Sequence, residues 1–125
     1  MEQKTILVVE DEASLQNILL DKLKEENFLC FKANNGEEGL KIALEKHPDL
    51  ILLDIIMPVM EGMTMLKKLR EDTWGKKVPV ILLTNLSDEA KINTAEEKKA
   101  ADYLVKADWK LEDVVTKVKE TLNLI

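Results

Sequence analysis

Asp54 closes an apolar run, Leu50-Ile51-Leu52-Leu53, and Glu10 and Asp11 close another, Ile6-Leu7-Val8-Val9. Apolar strands of this kind are buried on both faces, as in a parallel sheet covered by helices. Such sheets carry their functional groups in the crevice at the carboxyl ends of the strands. With the two strands side by side, the three carboxylates converge at one edge. Like charges held that close repel, and the arrangement calls for a cation. An all-oxygen donor set selects a hard one, Mg²⁺. Thr84 ends a further apolar run and Lys106 directly follows Asp102-Tyr103-Leu104-Val105, adding a hydroxyl and an ammonium to the same edge. Phosphoryl transfer uses this set: a metal and a cation for the equatorial oxygens, a donor for one of them, and an in-line nucleophile. Asp54 is the best nucleophile, because an aspartyl carboxylate can form an acyl phosphate. No glycine-rich phosphate loop is present, so the phosphoryl donor is something other than bound ATP.

These residues need elements to hold them, and strand and helix signals alternate along the chain. Residues 5–10 read as a strand, followed by Leu15, Ile18, Leu19 and Leu23 at helical spacing. Residues 28–33 read as a second strand. Asn35 with Glu38 opens a second helix in the manner of a capping box; Leu40, Ala43 and Leu44 form its stripe and Pro48 marks its end. Residues 49–54 are the third strand, and Met63, Leu66 and Leu69 mark a third helix with Gly75 beyond it. Residues 78–84 are the fourth strand, with Pro79 tolerable at its start. Residues 88–99 form a mostly polar helix and 102–105 a short strand. Asp108 can cap a last helix striped by Leu111, Val114, Val115, Val118 and Leu122. Five βα units predict an α/β fold, a doubly wound parallel sheet in the order 2-1-3-4-5 with helices on both faces. That order sets the first and third strands side by side.

The bulk properties agree. One domain with one core suits 125 residues, with 46% hydrophobic and 34% charged residues. A net charge of −6 argues against direct DNA binding and against an anionic membrane surface. No apolar stretch is long enough to span a bilayer and no signal-peptide pattern opens the chain. The single cysteine, Cys30, is expected in a buried strand and fits a reducing, cytoplasmic setting. The chain ends one residue after Leu124, which predicts a single domain over residues 1–125 with no effector domain behind it; an excised piece of a larger regulator or hybrid kinase stays open.

The chain resembles the receiver domain of two-component response regulators over essentially its whole length. The resemblance rests on Val8-Val9-Glu10-Asp11-Glu12, on Asp54-Ile55-Ile56-Met57-Pro58-Val59-Met60-Glu61-Gly62, on Leu82-Leu83-Thr84, and on Asp102-Tyr103-Leu104-Val105-Lys106. It implies a phosphorylation-activated switch, stand-alone and similar to chemotaxis regulators, rather than a turnover enzyme. Asp54 is then the phosphorylation site, receiving phosphate from a phosphohistidine on a sensor kinase or histidine phosphotransfer protein. Mg²⁺ is held by Asp11 directly, by Glu10 mostly through water, by Asp54, and by the backbone carbonyl of Ile56. Lys106 contacts the phosphoryl group, Thr84 moves to bond one of its oxygens, and Tyr103 follows inward. That remodels the face made by the polar 88–99 helix, the fifth strand and the last helix, where a downstream protein binds. The resemblance implies a monomer, or a dimer formed on phosphorylation.

Some residues depart from the family pattern. Ala107 stands where family members usually carry a proline behind a cis bond, and a non-proline cis bond costs ~2.5–4 kcal/mol. Asn85 replaces the usual small residue after the switch threonine. Ile56 and Leu86 are both apolar, which is expected to exclude hydrolytic water and prolong the phosphorylated state. Taken singly, each residue has a structural explanation. Asp11 reads as a cap for the first helix, Lys106 as a solvated lysine, Thr84 as strand propensity, and Tyr103 as packing. Met57, Met60, Met63 and Met65 read as packing, and Trp109 as packing or a partner anchor. His47 reads as a surface residue at a helix end, and the charged run 96–99 as a solvated face. Two other functions share the fold. A flavodoxin-like electron carrier would hold a yellow cofactor, but Glu10-Asp11-Glu12 would repel its phosphate. A Mg²⁺-dependent phosphatase would turn over phosphate esters, but usually places a general acid where Ile56 stands.

Overall fold

The computed structural model describes residues 3–54, 62–84, 102–105 and 110–124, with the backbone alone at 63, 84 and 102–105. Five strands, β1 (Thr5–Val9), β2 (Leu29–Ala33), β3 (Leu50–Asp54), β4 (Val80–Thr84) and β5 (Asp102–Val105), form one parallel sheet in the order β2-β1-β3-β4-β5. Among the described residues the helices are α1 (Ala13–Glu25), α2 (Gly36–Lys46), α3 (Gly62–Glu71) and α4 (Leu111–Thr121). The expected fold class and strand order are those of the structure. The polar helix expected over 88–99 lies outside the described residues.

Alternation along the strands divides the core into two layers. Leu7, Val9, Ile51, Leu53, Val80 and Leu82 face Ala43 of α2 and Met65, Leu66 and Leu69 of α3. The intervening Ile6, Val8, Leu50, Leu52, Ile81 and Leu83 face Leu19, Leu20 and Leu23 of α1 and Val114 and Val118 of α4. Successive strand side chains point to opposite faces, so a run with no polar member is what a sheet covered on both sides requires.

Register decides where the strands end relative to one another. Ile6 pairs with Leu50 and Val9 with Leu53. The register is pinned at the far edge by Asp49, whose Oδ2 accepts from the Thr5 N–H (2.8 Å) and the Thr5 hydroxyl (3.1 Å), while its own N–H donates to the Thr5 carbonyl (2.9 Å). Counting forward from Val9 and Leu53 brings Glu10 level with Asp54. A slip of one residue would turn every side chain of β1 to the other face.

Several local expectations are corrected. In α1, Ile18 is 51% exposed, and the buried line runs through Gln16, Leu19, Leu20 and Leu23. In α2, Leu44 is 38% exposed, and Gly36, Gly39 and Ala43 carry the burial. The reason is a close approach: a Cβ on Gly39 would lie 2.9 Å from Val9 Cγ2 and 3.1 Å from Met65 Sδ. Asn35 does cap α2, accepting from the Glu38 N–H at 2.8 Å, and His47 ends the helix in the left-handed region before Pro48. Asp11 is not the cap of α1; Glu12 holds that position, with no side-chain cap bond. Asp108 lies outside the described residues, and α4 takes Lys110 as its N-cap, whose N–H is bonded by Asp113 Oδ2 at 2.8 Å. Cys30 is half-buried rather than buried, on β2, the outermost strand of the sheet among the described residues.

Candidate functional site

β1 and β3 are neighbours in the sheet, and Glu10, the residue after β1, stands level with Asp54, the last residue of β3. One carboxylate oxygen each from Glu10, Asp11 and Asp54 lies within 4.8 Å of the other two. Glu10 is 1% exposed and Asp54 5%, while Asp11 faces solvent. The Glu10 Oε1 accepts from the Glu12 N–H at 3.2 Å, which holds that carboxylate in place over the start of α1. Two buried carboxylates beside a third, exposed one are unfavourable as a bare charge cluster. An all-carboxylate set open on one side fits a hard divalent cation that keeps several waters. The chemistry of the donors therefore fits Mg²⁺, with Glu10, Asp11 and Asp54 as the residues that would hold it.

The other candidates are only partly placed. Thr84 ends β4 one residue beyond Leu83, the register partner of Asp54. Its backbone thus stands at the same edge, next to Val105, which ends β5. Tyr103 occupies the middle of β5, paired with Leu82. Ile56 and Lys106 lie outside the described residues, as do Asn85, Leu86, Ala107 and Trp109.

Three features are not apparent from the acid motif. Gln16 is buried under the β1–α1 turn and donates to two strand-end carbonyls, those of Glu10 (3.2 Å) and Ala33 (2.8 Å). A polar residue on the apolar line of α1, one turn before Leu19 and Leu20, was the available signal. At the opposite edge of the sheet, Arg70 Nη1 donates to the carbonyls of Gly75 and Val78, both at 2.7 Å, and fastens the turn before β4. Exposed His47 stacks on Trp74 with ring centroids 4.2 Å apart and planes inclined by 11°. Those two residues are far apart in the chain, so no spacing rule announces the contact.

Comparison with known proteins agrees with this arrangement. The profile of the response regulator receiver domain matches residues 6–119. The chain is 38% identical over 118 residues, 94% of its length, to the transcriptional regulatory protein ResD of Bacillus subtilis. It is 40% identical over 106 residues, 85% of its length, to the probable transcriptional regulator ycf27 of Porphyridium aerugineum. It spans less than half of these relatives, 48% of the first and 43% of the second. Among solved structures, the signal receiver domain of a signal transduction histidine kinase from Syntrophus aciditrophicus superposes with a TM-score of 0.87 at 32% identity, covering 96% of this chain and 90% of that one. With nearly all of the sheet and its helices inside the matched span, and its acid cluster at the crevice between β1 and β3, the chain belongs to the response regulator receiver domain family.

Proposed function

We propose that residues 1–125 act as one receiver unit that takes a phosphoryl group from a phosphohistidine donor onto Asp54 and signals by contact. The observation that carries this reading is the convergence of Glu10, Asp11 and Asp54 within 4.8 Å at the end of the two central strands. An Asp54 carboxylate oxygen attacks phosphorus, the new P–O bond replaces the P–N bond, and the donor imidazole leaves with the electron pair. A Mg²⁺ ion held at this cluster would offset the repulsion of the carboxylates and the charge of the incoming phosphoryl oxygens. Asp11, Asp54 and the backbone carbonyl of Ile56 would hold that ion directly, and Glu10 mostly through water. Lys106 places its ammonium against the phosphoryl group, and the Thr84 hydroxyl donates to one of its oxygens. Tyr103 follows Thr84 inward, and the new charge favours one of two pre-existing states of the surrounding face.

The donor is a sensor histidine kinase or a histidine phosphotransfer protein, and the reader is a protein that binds the remodelled face, in the cytoplasm. The chain catalyses its own phosphorylation without being a turnover enzyme. ResD and ycf27 are named as transcriptional regulators, but this chain spans less than half of either, and its charge of −6 does not suit a DNA contact.

The test is intact mass after incubation with Mg²⁺ and acetyl phosphate, alongside Asp54→Asn and a sample with chelator. A gain of one phosphoryl group, absent from both controls, is expected. Labelling that survives Asp54→Asn would move the acceptor elsewhere and sink the assignment.

A further inference from the structure

We propose that Gln16 is a positioning residue for the cation-holding carboxylates, acting through the backbone of Glu10; this rests on the reading of the acid cluster as a Mg²⁺ site. Gln16 lies near the start of α1 and is 3% exposed. Its Nε2 donates to the Glu10 carbonyl at 3.2 Å and to the Ala33 carbonyl at 2.8 Å. Both neighbours are acceptors, so the nitrogen end of the amide must face them, and its two hydrogens are both used. The Ala33 carbonyl also accepts from the Glu10 N–H at 3.1 Å. Glu10 is thus tied at its nitrogen and at its oxygen, with the end of β2 as the common anchor.

The consequence reaches Asp11 through the peptide bond. The Glu10 carbonyl and the Asp11 nitrogen belong to one planar unit. Fixing the oxygen fixes the plane from which the Asp11 Cα and side chain depart. The Glu10 carboxylate is steadied separately by the Glu12 N–H at 3.2 Å. With Gln16 gone, the plane loses the donor that fixes its oxygen, and the Asp11 oxygen is held less firmly at its distance from Asp54. A leucine would fill this place on the apolar line of α1 with no polar atom to satisfy; the amide supplies placement instead. Groups that orient metal ligands from outside the ligand set typically alter affinity by about 10–100-fold when removed.

The experiment compares Mg²⁺ affinity by titration calorimetry for the wild type, Gln16→Met and Arg70→Met. Metal-free melting temperature and hydrogen exchange at the Glu10 amide are measured in parallel. Gln16→Met keeps length and volume but removes both donors. Arg70→Met removes two bonds of the same kind, to Gly75 and Val78, at the far edge of the sheet, so it lowers stability without touching the cluster. The expected result is a Kd for Mg²⁺ raised about tenfold or more by Gln16→Met, with faster Glu10 exchange, and neither change in Arg70→Met. Gln16→Asn, whose amide is one methylene too short to reach both carbonyls, should act in the same direction and serves if Gln16→Met does not fold. Wild-type affinity in the folded Gln16 variants, or an equal loss in Arg70→Met, overturns the proposal. A wild type that binds no Mg²⁺ overturns the reading of the cluster, and the proposal with it.

Discussion

Asp54 is held in an unfavourable place for a charge, 5% exposed and close to two other carboxylates. Removing that charge should relieve repulsion in the metal-free protein. Asp54→Asn is therefore expected to raise metal-free stability by roughly 1–2 kcal/mol, measured by urea unfolding in the presence of chelator. A variant less stable than the wild type would mean that the lost hydrogen bonds of the carboxylate outweigh the repulsion. Cys30 allows a second prediction at this scale. Burial pushes its thiol above the usual range, and nearby Lys24 only partly opposes this. Alkylation by iodoacetamide should begin at higher pH than for a free cysteine, near 8.5. Because the folded value is the raised one, any stability from the neutral thiol is complete below the unfolded value and is lost as pH rises through the folded one. An alkylation profile matching free cysteine would contradict the half-buried placement.

Two glycines, one inside α2 and one in the turn before β4, show which contacts tolerate change. A Cβ at Gly75 would run into the backbone carbonyl oxygen of Leu69, and the turn there is also tied by Asp72 Oδ2 to the Gly75 N–H (2.9 Å) and by Arg70. A Cβ at Gly39 would meet only side chains, those of Val9 and Met65. Side chains can shift, and alanine is favoured over glycine in a helix by about 1 kcal/mol, which offsets part of a ~1–3 kcal/mol overpacking cost. Gly75→Ala is expected to destabilise by about 3 kcal/mol or more, and Gly39→Ala by under about 2, in chemical denaturation. Equal losses would show that the α2 approach to β1 is as rigid as the turn before β4. The α2 stripe departs from expectation only at Leu44, for a related reason. Ala43 is buried and Leu40 packs against the core, but the helix sits so close to the sheet at Gly39 that glycine and alanine carry the full burial and Leu44 stays exposed.

For the whole molecule, the cluster links metal binding to stability, because the three carboxylates meet only when β1 and β3 are paired in register. Mg²⁺ should bind the folded chain and not the unfolded one. At about 100 times its Kd it should then add ~2.7 kcal/mol, seen as a higher melting temperature that chelator reverses. A melting temperature indifferent to Mg²⁺ would count against the site. Breaking the pin at the other edge tests the register. Asp49→Ala removes the acceptor that holds the Thr5 N–H and hydroxyl and is expected to cost about 1–3 kcal/mol in thermal unfolding. No measurable loss would mean that the apolar pairing alone sets the alignment.

The strand order and the meeting of Glu10 with Asp54 could be read from the chain because two apolar runs of strand length each end in acid, and a parallel sheet brings such ends together. Those are local signals: composition, alternation, and the residue at which a run stops. What they left open is what happens between distant segments. Ile18 and Leu44 look like core by spacing, yet lie exposed, since the angle and closeness at which a helix meets the sheet are set by the partner surface. Gln16 reads as an ordinary polar residue until the ends of β1 and β2 both present carbonyls to it, and the His47–Trp74 stack joins segments that only folding brings side by side. Composition and alternation along the chain are enough to mark the elements and the residue types at their ends. Which side chains pack and bond around those ends comes from folding alone, because those contacts depend on backbone positions far apart in the chain.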